Sequence, residues 1–163
     1  MKKIRSFFKN PATKGVLSAL AVIVFGFILL NLTFLFDALF QNFIDLIVGL
    51  FTKINLNMST RWFPMGKHLS FAILIIIISY FLFSSKLKTI YKSIFMTVPL
   101  MTLFLTIGIF LHQSPWIAGI IIAGLALGVF YYFYKTKQPW LYYYTLALIC
   151  ALMLIIAIFQ IEI

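Results

Sequence analysis

Five apolar stretches constrain the fold of this chain more than any other feature. They cover residues 15–36, 69–85, 93–111, 116–134 and 140–161. A helix needs about 20 residues to cross a hydrocarbon core about 30 Å thick. Because lipid offers the backbone no hydrogen-bond partners, a segment that crosses it must be helical. The sequence therefore predicts an all-α integral membrane protein in which residues 1–163 form a single polytopic domain.

The composition supports a membrane location and argues against a soluble domain. Hydrophobic residues make up 64% of the chain and charged residues only 10%, whereas about a quarter of a soluble domain is charged. The net charge of +10 would suggest nucleic acid in a soluble protein. In a chain this apolar, basic residues more often mark cytoplasmic loops and lipid headgroup contacts. We therefore expect membrane lipids as partners and no nucleic acid.

The distribution of basic residues predicts the orientation of the chain. With five spans, alternation places ten of the thirteen lysines and arginines on one side: Lys2, Lys3, Arg5, Lys9, Lys14, Lys86, Lys88, Lys92, Lys135 and Lys137. Basic residues accumulate in cytoplasmic loops. We predict a cytoplasmic N-terminus and an extracytoplasmic C-terminus, and the Lys- and Ile-rich usage suggests a bacterial inner membrane.

Residues 36–52 are apolar but periodic, and they do not fit the pattern of a simple span. At 100° per residue one face carries the polar and small residues Asp37, Gln41, Asn42, Asp45, Gly49 and Thr52. Three alternatives remain open for this amphipathic helix. It lies in the outer interface, it re-enters with its polar face toward a cavity, or it forms a sixth span. A sixth span would reverse the later connectors and remove the charge bias.

The predicted topology brings most of the remaining polar chemistry to the extracytoplasmic side. We take Asp37, Asp45, His68 and His112 as catalytic candidates, because carboxylates and imidazoles can share acid–base work. Arg61, Lys67, Gln41 and Asn42 are candidates for substrate binding. We also expect Asp37 to pair with Arg61, whose forked guanidinium suits a carboxylate, and to close the polar end of a cavity.

Other motifs point to packing rather than chemistry. Small residues recur at helical spacing in the fourth span, at Gly119, Ala123, Gly124 and Gly128. Such spacing lets helices approach closely, either within the fold or between subunits. The chain has no zinc, nucleotide-binding or nucleophile-elbow motif, so neither a metal nor a cofactor is expected.

Two functions remain after these observations. The first is a small non-enzymatic membrane protein that acts by binding and helix contacts, as a transport, channel or accessory subunit. Since five spans rarely enclose a transport path, this function implies a homo-oligomer or a larger membrane-protein partner. The second is a membrane-embedded enzyme that acts on a lipid or lipid-linked substrate at the outer leaflet. Close approach of carboxylate, imidazole and basic groups in one cavity would support the second function.

Overall fold

The fold consists of five long helices. The computed structural model describes residues 11–51 and 62–159, and every regular element in these ranges is an α-helix. The helices are α1 Pro11–Phe51, α2 Trp62–Ser84, α3 Thr89–Phe110, α4 Pro115–Lys135 and α5 Trp140–Phe159. Each is long and apolar enough to cross a membrane. The prediction of an all-α membrane protein with five spans is confirmed.

Helix α1 corrects one predicted boundary. The segment 36–52 is helical up to Phe51, as predicted, but it is not a separate element, because α1 runs without a break from Pro11 to Phe51. No Gly or Pro lies between Phe27 and Val48 to interrupt the helix. Its 41 residues make a rod about 61 Å long, about twice the thickness of the hydrocarbon core. A re-entrant turn or a sixth span would need a break near residue 36, which is absent.

Helix α3 lies at the centre of the bundle and packs against all four other helices. Its closest approach is to α1, where a Cβ atom added to Gly26 would lie 2.9 Å from the Cγ2 atom of Thr97. Thr97 is fully buried, and its hydroxyl donates to the carbonyl oxygen of Ile94 at 2.7 Å. The largest core cluster gathers side chains of α1, α3, α4 and α5: Leu30, Met96, Met101, Phe104, Phe133, Tyr142, Leu146 and Ile149.

The bundle has two chemically different ends. Short connectors at residues 85–88, 111–114 and 136–139 make successive helices antiparallel. At one end lie Lys14, Lys86, Lys88, Lys92, Lys135 and Lys137. Gly15 confirms this placement, because a Cβ added there would lie 3.8 Å from the Trp140 side chain at the start of α5. We call this the basic end. The opposite end carries Asp37, Asp45, His68 and His112, and we call it the carboxylate end.

The small residues of α4 do not mediate packing inside the chain. A Cβ atom added to Gly119, Gly124 or Gly128 would meet no atom of the described residues within 4 Å, and Ala123 is exposed. These positions therefore make no close packing contact with the rest of the described residues. Their use between subunits stays a prediction.

Candidate functional site

The site at the carboxylate end is built from α1 and α2. Asp37, Gln41 and Asp45 recur every four residues, which places them on one face of α1. That face meets the beginning of α2, where Lys67 and His68 lie side by side. Two aromatic contacts on the neighbouring face fix the register of the two helices. The ring of Phe71 lies 6.0 Å from that of Phe36 and 5.7 Å from that of Phe40, measured between centroids.

Asp37, Gln41 and His68 form the inner part of the site. The Gln41 amide donates to Oδ2 of Asp37 at 3.0 Å, and Nδ1 of His68 lies 3.4 Å from the same oxygen. The Gln41 amide nitrogen is also 3.4 Å from both ring nitrogens of His68, so it is directed at neither. The other carboxylate oxygen, Oδ1, is buried and has no hydrogen-bond partner among the described residues.

Asp45 and Lys67 form the outer part of the site. The Lys67 ammonium donates to both carboxylate oxygens of Asp45, at 2.9 and 3.0 Å. It also lies 5.2 Å from the ring centroid of Phe63, within range of a cation–π interaction. The Lys67 side chain is only 13% exposed, whereas that of Asp45 is 48% exposed. The Lys67 ammonium is therefore paired with Asp45, and the basic side chain that contacts Asp37 is His68.

A cavity of about 260 Å³ lies beside Asp37 and His68, between α1, α2 and α3, and we call it the polar cavity. It has room for several water molecules or one small ligand, since a water molecule takes about 30 Å³. Its lining combines one carboxylate, one imidazole and three hydroxyls with apolar side chains: Thr33, Phe34, Asp37, His68, Phe71, Thr102, Leu105, Thr106 and Ile109.

Toward a ligand in the cavity, the Thr33 and Thr106 hydroxyls can act only as hydrogen-bond acceptors. Thr33 donates its hydrogen to the carbonyl oxygen of Leu29 at 2.8 Å, and Thr106 donates to that of Thr102 at 2.7 Å. With these hydrogens engaged, both threonines retain only oxygen lone pairs for a ligand. Together with the free oxygen of Asp37, they favour a ligand that donates hydrogen bonds or carries positive charge.

The structure brings together most, but not all, of the candidate residues. Asp37, Gln41, Asp45, Lys67 and His68 converge as expected from the sequence. Asn42 is exposed on α1 and does not line the cavity. His112 lies on the α3–α4 connector, exposed, with its Nδ1 atom 3.0 Å from the Ile109 carbonyl oxygen. Arg61 lies outside the described residues, and the partners that the structure gives Asp37 are Gln41 and His68.

Sequence reasoning missed the threonines of the cavity. Thr102 and Thr106 are four residues apart on α3 and share a face, which is the signal that could have found them. In an apolar span a lone threonine usually bonds to its own backbone, so this signal is weak. The close approach at Gly26 was also missed, since nothing in the sequence distinguishes this glycine from the exposed glycines of α4.

A second hollow lies on the other side of α3, between α3, α4 and α5. This apolar groove encloses about 780 Å³, and its lining is almost entirely hydrocarbon, with His112 and Pro115 at the carboxylate end. The side chains of Leu105 and Ile109 line both hollows. Among the described residues, no three His, Cys, Asp or Glu side chains are grouped so that they could hold a metal ion.

Comparison of the chain with protein-family models, curated proteins and solved structures finds no match.

Proposed function

We propose that this chain is a non-enzymatic multi-pass membrane protein that binds a small cationic or hydrogen-bond-donating ligand in the polar cavity. In this proposal it acts as a transport, channel or accessory subunit. The observation that carries the proposal is the buried oxygen Oδ1 of Asp37, which lacks a hydrogen-bond partner among the described residues. A buried acceptor without a donor costs about 1–3 kcal/mol. A donor group on a ligand beside the Asp37 side chain, which is 17% exposed, would recover that cost once the carboxylate rotates to turn Oδ1 toward the cavity.

The charges around the cavity support a cationic ligand. Lys67 is committed to Asp45. The remaining basic group beside Asp37 in the described residues is His68, which is positive only when protonated. The threonines add acceptor oxygens and no charge. A carboxylate that the surrounding residues do not fully neutralise attracts cations into a confined space.

The proposal includes an orientation and a partner. Because cytoplasmic segments are enriched in lysine and arginine, we place the basic end in the cytoplasm and the carboxylate end outside a plasma membrane. The cavity then opens near the outer interface. Since the hollow lies between only three helices, transport across the whole membrane would require a second copy or another membrane protein.

Ligand-dependent stability in detergent tests this proposal. The thermal unfolding midpoint is measured with ammonium or ethanolammonium chloride, and with tetrabutylammonium chloride at equal ionic strength as a bulky cation that has no N–H donor. We expect stabilisation by the small cations that rises with the logarithm of their concentration above Kd and reaches about 2.7 kcal/mol at 100-fold above Kd. Asp37→Asn should abolish it.

The double substitution Asp45→Asn with Lys67→Gln is the matched control, because it neutralises the second acid of the same face, which does not line the cavity, and leaves no unpaired ammonium that could reach Asp37. It should retain the ligand response. Equal stabilisation of the wild type and Asp37→Asn, or equal effects of small and large cations, would contradict the proposal.

The contact between His68 and Asp37 supports a second candidate, an enzyme acting on a lipid or lipid-linked substrate at the outer leaflet. An imidazole 3.4 Å from a carboxylate resembles the arrangement in which a carboxylate orients a histidine for acid–base work. Mass spectrometry of phospholipid vesicles incubated with the reconstituted protein tests it. A product that forms with the wild type and is lost in His68→Gln would support the enzyme, whereas unchanged lipids would exclude it for those substrates.

A further inference from the structure

The apolar groove between α3, α4 and α5 has the dimensions of half a membrane. Along α4 its lining extends from Pro115 to Leu127, thirteen residues that span about 18 Å of helix. One leaflet contributes about half of the hydrocarbon core of about 30 Å, or about 15 Å. Because Pro115 is at the carboxylate end, the groove runs from that edge of the membrane to about its midplane.

Small residues in its walls help to keep the groove open. Six of the lining positions are Gly or Ala: Gly108, Ala118, Gly119, Ala123, Ala126 and Ala157. A Cβ atom added to Gly108 or Gly119 would meet no described atom within 4 Å. Water does not fill so apolar a space, and an empty groove would forfeit the dispersion contacts of its walls. A flexible hydrocarbon chain would restore those contacts.

The rim of the groove lies at the level of lipid headgroups. Trp116 is 86% exposed, and exposed tryptophan is typical of the membrane interface. His112 lies at the same rim and is exposed. The N-terminus of α4, which carries the positive end of the helix dipole, is also here. None of the described residues that line the groove is acidic, so they leave this rim complementary to a phosphate.

From these observations we propose that the groove binds one acyl chain of a phospholipid from the leaflet at the carboxylate end, with its phosphate beside His112. The groove thereby holds a resident lipid rather than part of the exchanging bilayer. A helix from a second copy fits less well, because the small residues of α4 do not form one continuous row. At 100° per residue Gly128 lies about 180° from Gly119, and neither Gly124 nor Gly128 lines the groove.

Native mass spectrometry of the purified protein tests the proposal. The protein is prepared in a sterol-based detergent, whose rigid rings do not mimic an acyl chain, and titrated with palmitoyl-oleoyl-phosphatidylglycerol. We expect one tightly bound lipid. Gly119→Leu should weaken this binding at least tenfold, because its side chain would occupy the groove.

Gly124→Leu is the matched control. It places the same side chain on the same helix, in equally open surroundings, but outside the groove, and it should bind lipid like the wild type. Ala123→Leu, also in the groove, should reproduce Gly119→Leu and shows that the loss is not a folding defect of one variant. His112→Gln should weaken binding of the phospholipid but not that of palmitoyl alcohol, which has no phosphate.

Three outcomes would overturn the proposal. The first is equal lipid binding by Gly119→Leu and the wild type, and the second is an equal loss in Gly119→Leu and Gly124→Leu. The third is a lipid-free wild-type dimer that Gly119→Leu converts to a monomer, which would assign the groove to a second copy. Asp37→Asn should leave lipid binding unchanged, so this test is independent of the ligand proposed for the polar cavity.

Discussion

The polar cavity and the apolar groove lie at the same end of the bundle, on opposite sides of α3, and share Leu105 and Ile109 in their linings. They nevertheless differ in chemistry. On one side α3 presents Thr102 and Thr106 to α1 and α2, and on the other it presents Gly108 to α4 and α5. The comparison shows that one central helix can provide the walls of two unlike hollows, because residues four apart share a face whereas residues two apart lie on nearly opposite faces.

Packing also differs between the two sides. Gly26 of α1 lies against Thr97 of α3, whereas the glycines of α4 face open space. A glycine therefore permits a close helix contact on the side of the polar cavity, whereas the glycines of α4 take part in no such contact with the described residues. The following predictions test this difference.

The largest effect is expected for Gly26→Leu. A side chain at this position would overlap with Thr97, which is fully buried and cannot withdraw easily. Overpacking of this kind costs about 1–3 kcal/mol. We expect the upper part of that range, because the Thr97 side chain is fully buried and has little room to move. Unfolding by sodium dodecyl sulfate in mixed micelles measures it. Gly124→Leu should change the unfolding free energy by less than about 0.5 kcal/mol, and similar losses in both variants would refute the packing difference.

Replacement by Asn should change the unfolding free energy in opposite directions at the two acids of α1, Asp37 and Asp45. Asp37→Asn should stabilise the ligand-free protein by about 1 kcal/mol, because it removes a charge with an unpartnered buried oxygen. Asp45→Asn should destabilise it by less than about 1 kcal/mol, because it weakens a half-exposed ion pair with Lys67. The same unfolding assay compares them without added cations. Destabilisation by both substitutions would mean that Asp37 is satisfied in the folded protein.

A buried hydroxyl holds α5 against α3 behind the groove. The Thr145 hydroxyl donates to the carbonyl oxygen of Leu141 at 2.9 Å and lies 3.3 Å from that of Ser93 on α3. Hydrogen bonds between membrane helices contribute about 0.6 kcal/mol on average. Thr145→Val should therefore cost about that amount in unfolding free energy. Thr136→Val, an exposed threonine bonded only to its own helix, serves as the control.

The smallest effect is expected at the end of α4. Lys137 has φ of 50°, and Gln138 N–H donates to the Phe133 carbonyl while Lys137 N–H donates to that of Tyr134. This Schellman motif usually has glycine at the left-handed position. Lys137→Gly should stabilise the protein by about 0.5 kcal/mol. Lys135→Gly, inside the helix, should instead destabilise it, and a loss in both variants would argue against strain at Lys137.

The sequence predicted the features that depend on length and rarity. The spans follow from apolar length. The grouping of the candidate residues follows from the scarcity of charged groups, because few cationic side chains lie on the same side as Asp37 and Asp45. The sequence does not predict the continuity of α1, because the end of an apolar stretch marks the end of a membrane span but not the end of the helix. The pairing of Asp37 with His68 and of Asp45 with Lys67 depends on the antiparallel register set by Phe71, which no local pattern specifies.

The pairing between α1 and α2 has a consequence for biosynthesis. Asp45 precedes Lys67 by 22 residues, and Gln41 precedes His68 by 27. Because translation proceeds from the N-terminus, the whole of α1 is made before the side chains that pair with its polar face. Before α2 is made, the Asp37 carboxylate has the Gln41 amide of its own helix as a partner, and Asp45 lacks Lys67. We expect the second half of the nascent helix to stay near water until α2 is inserted, so the second helix to be made positions the first.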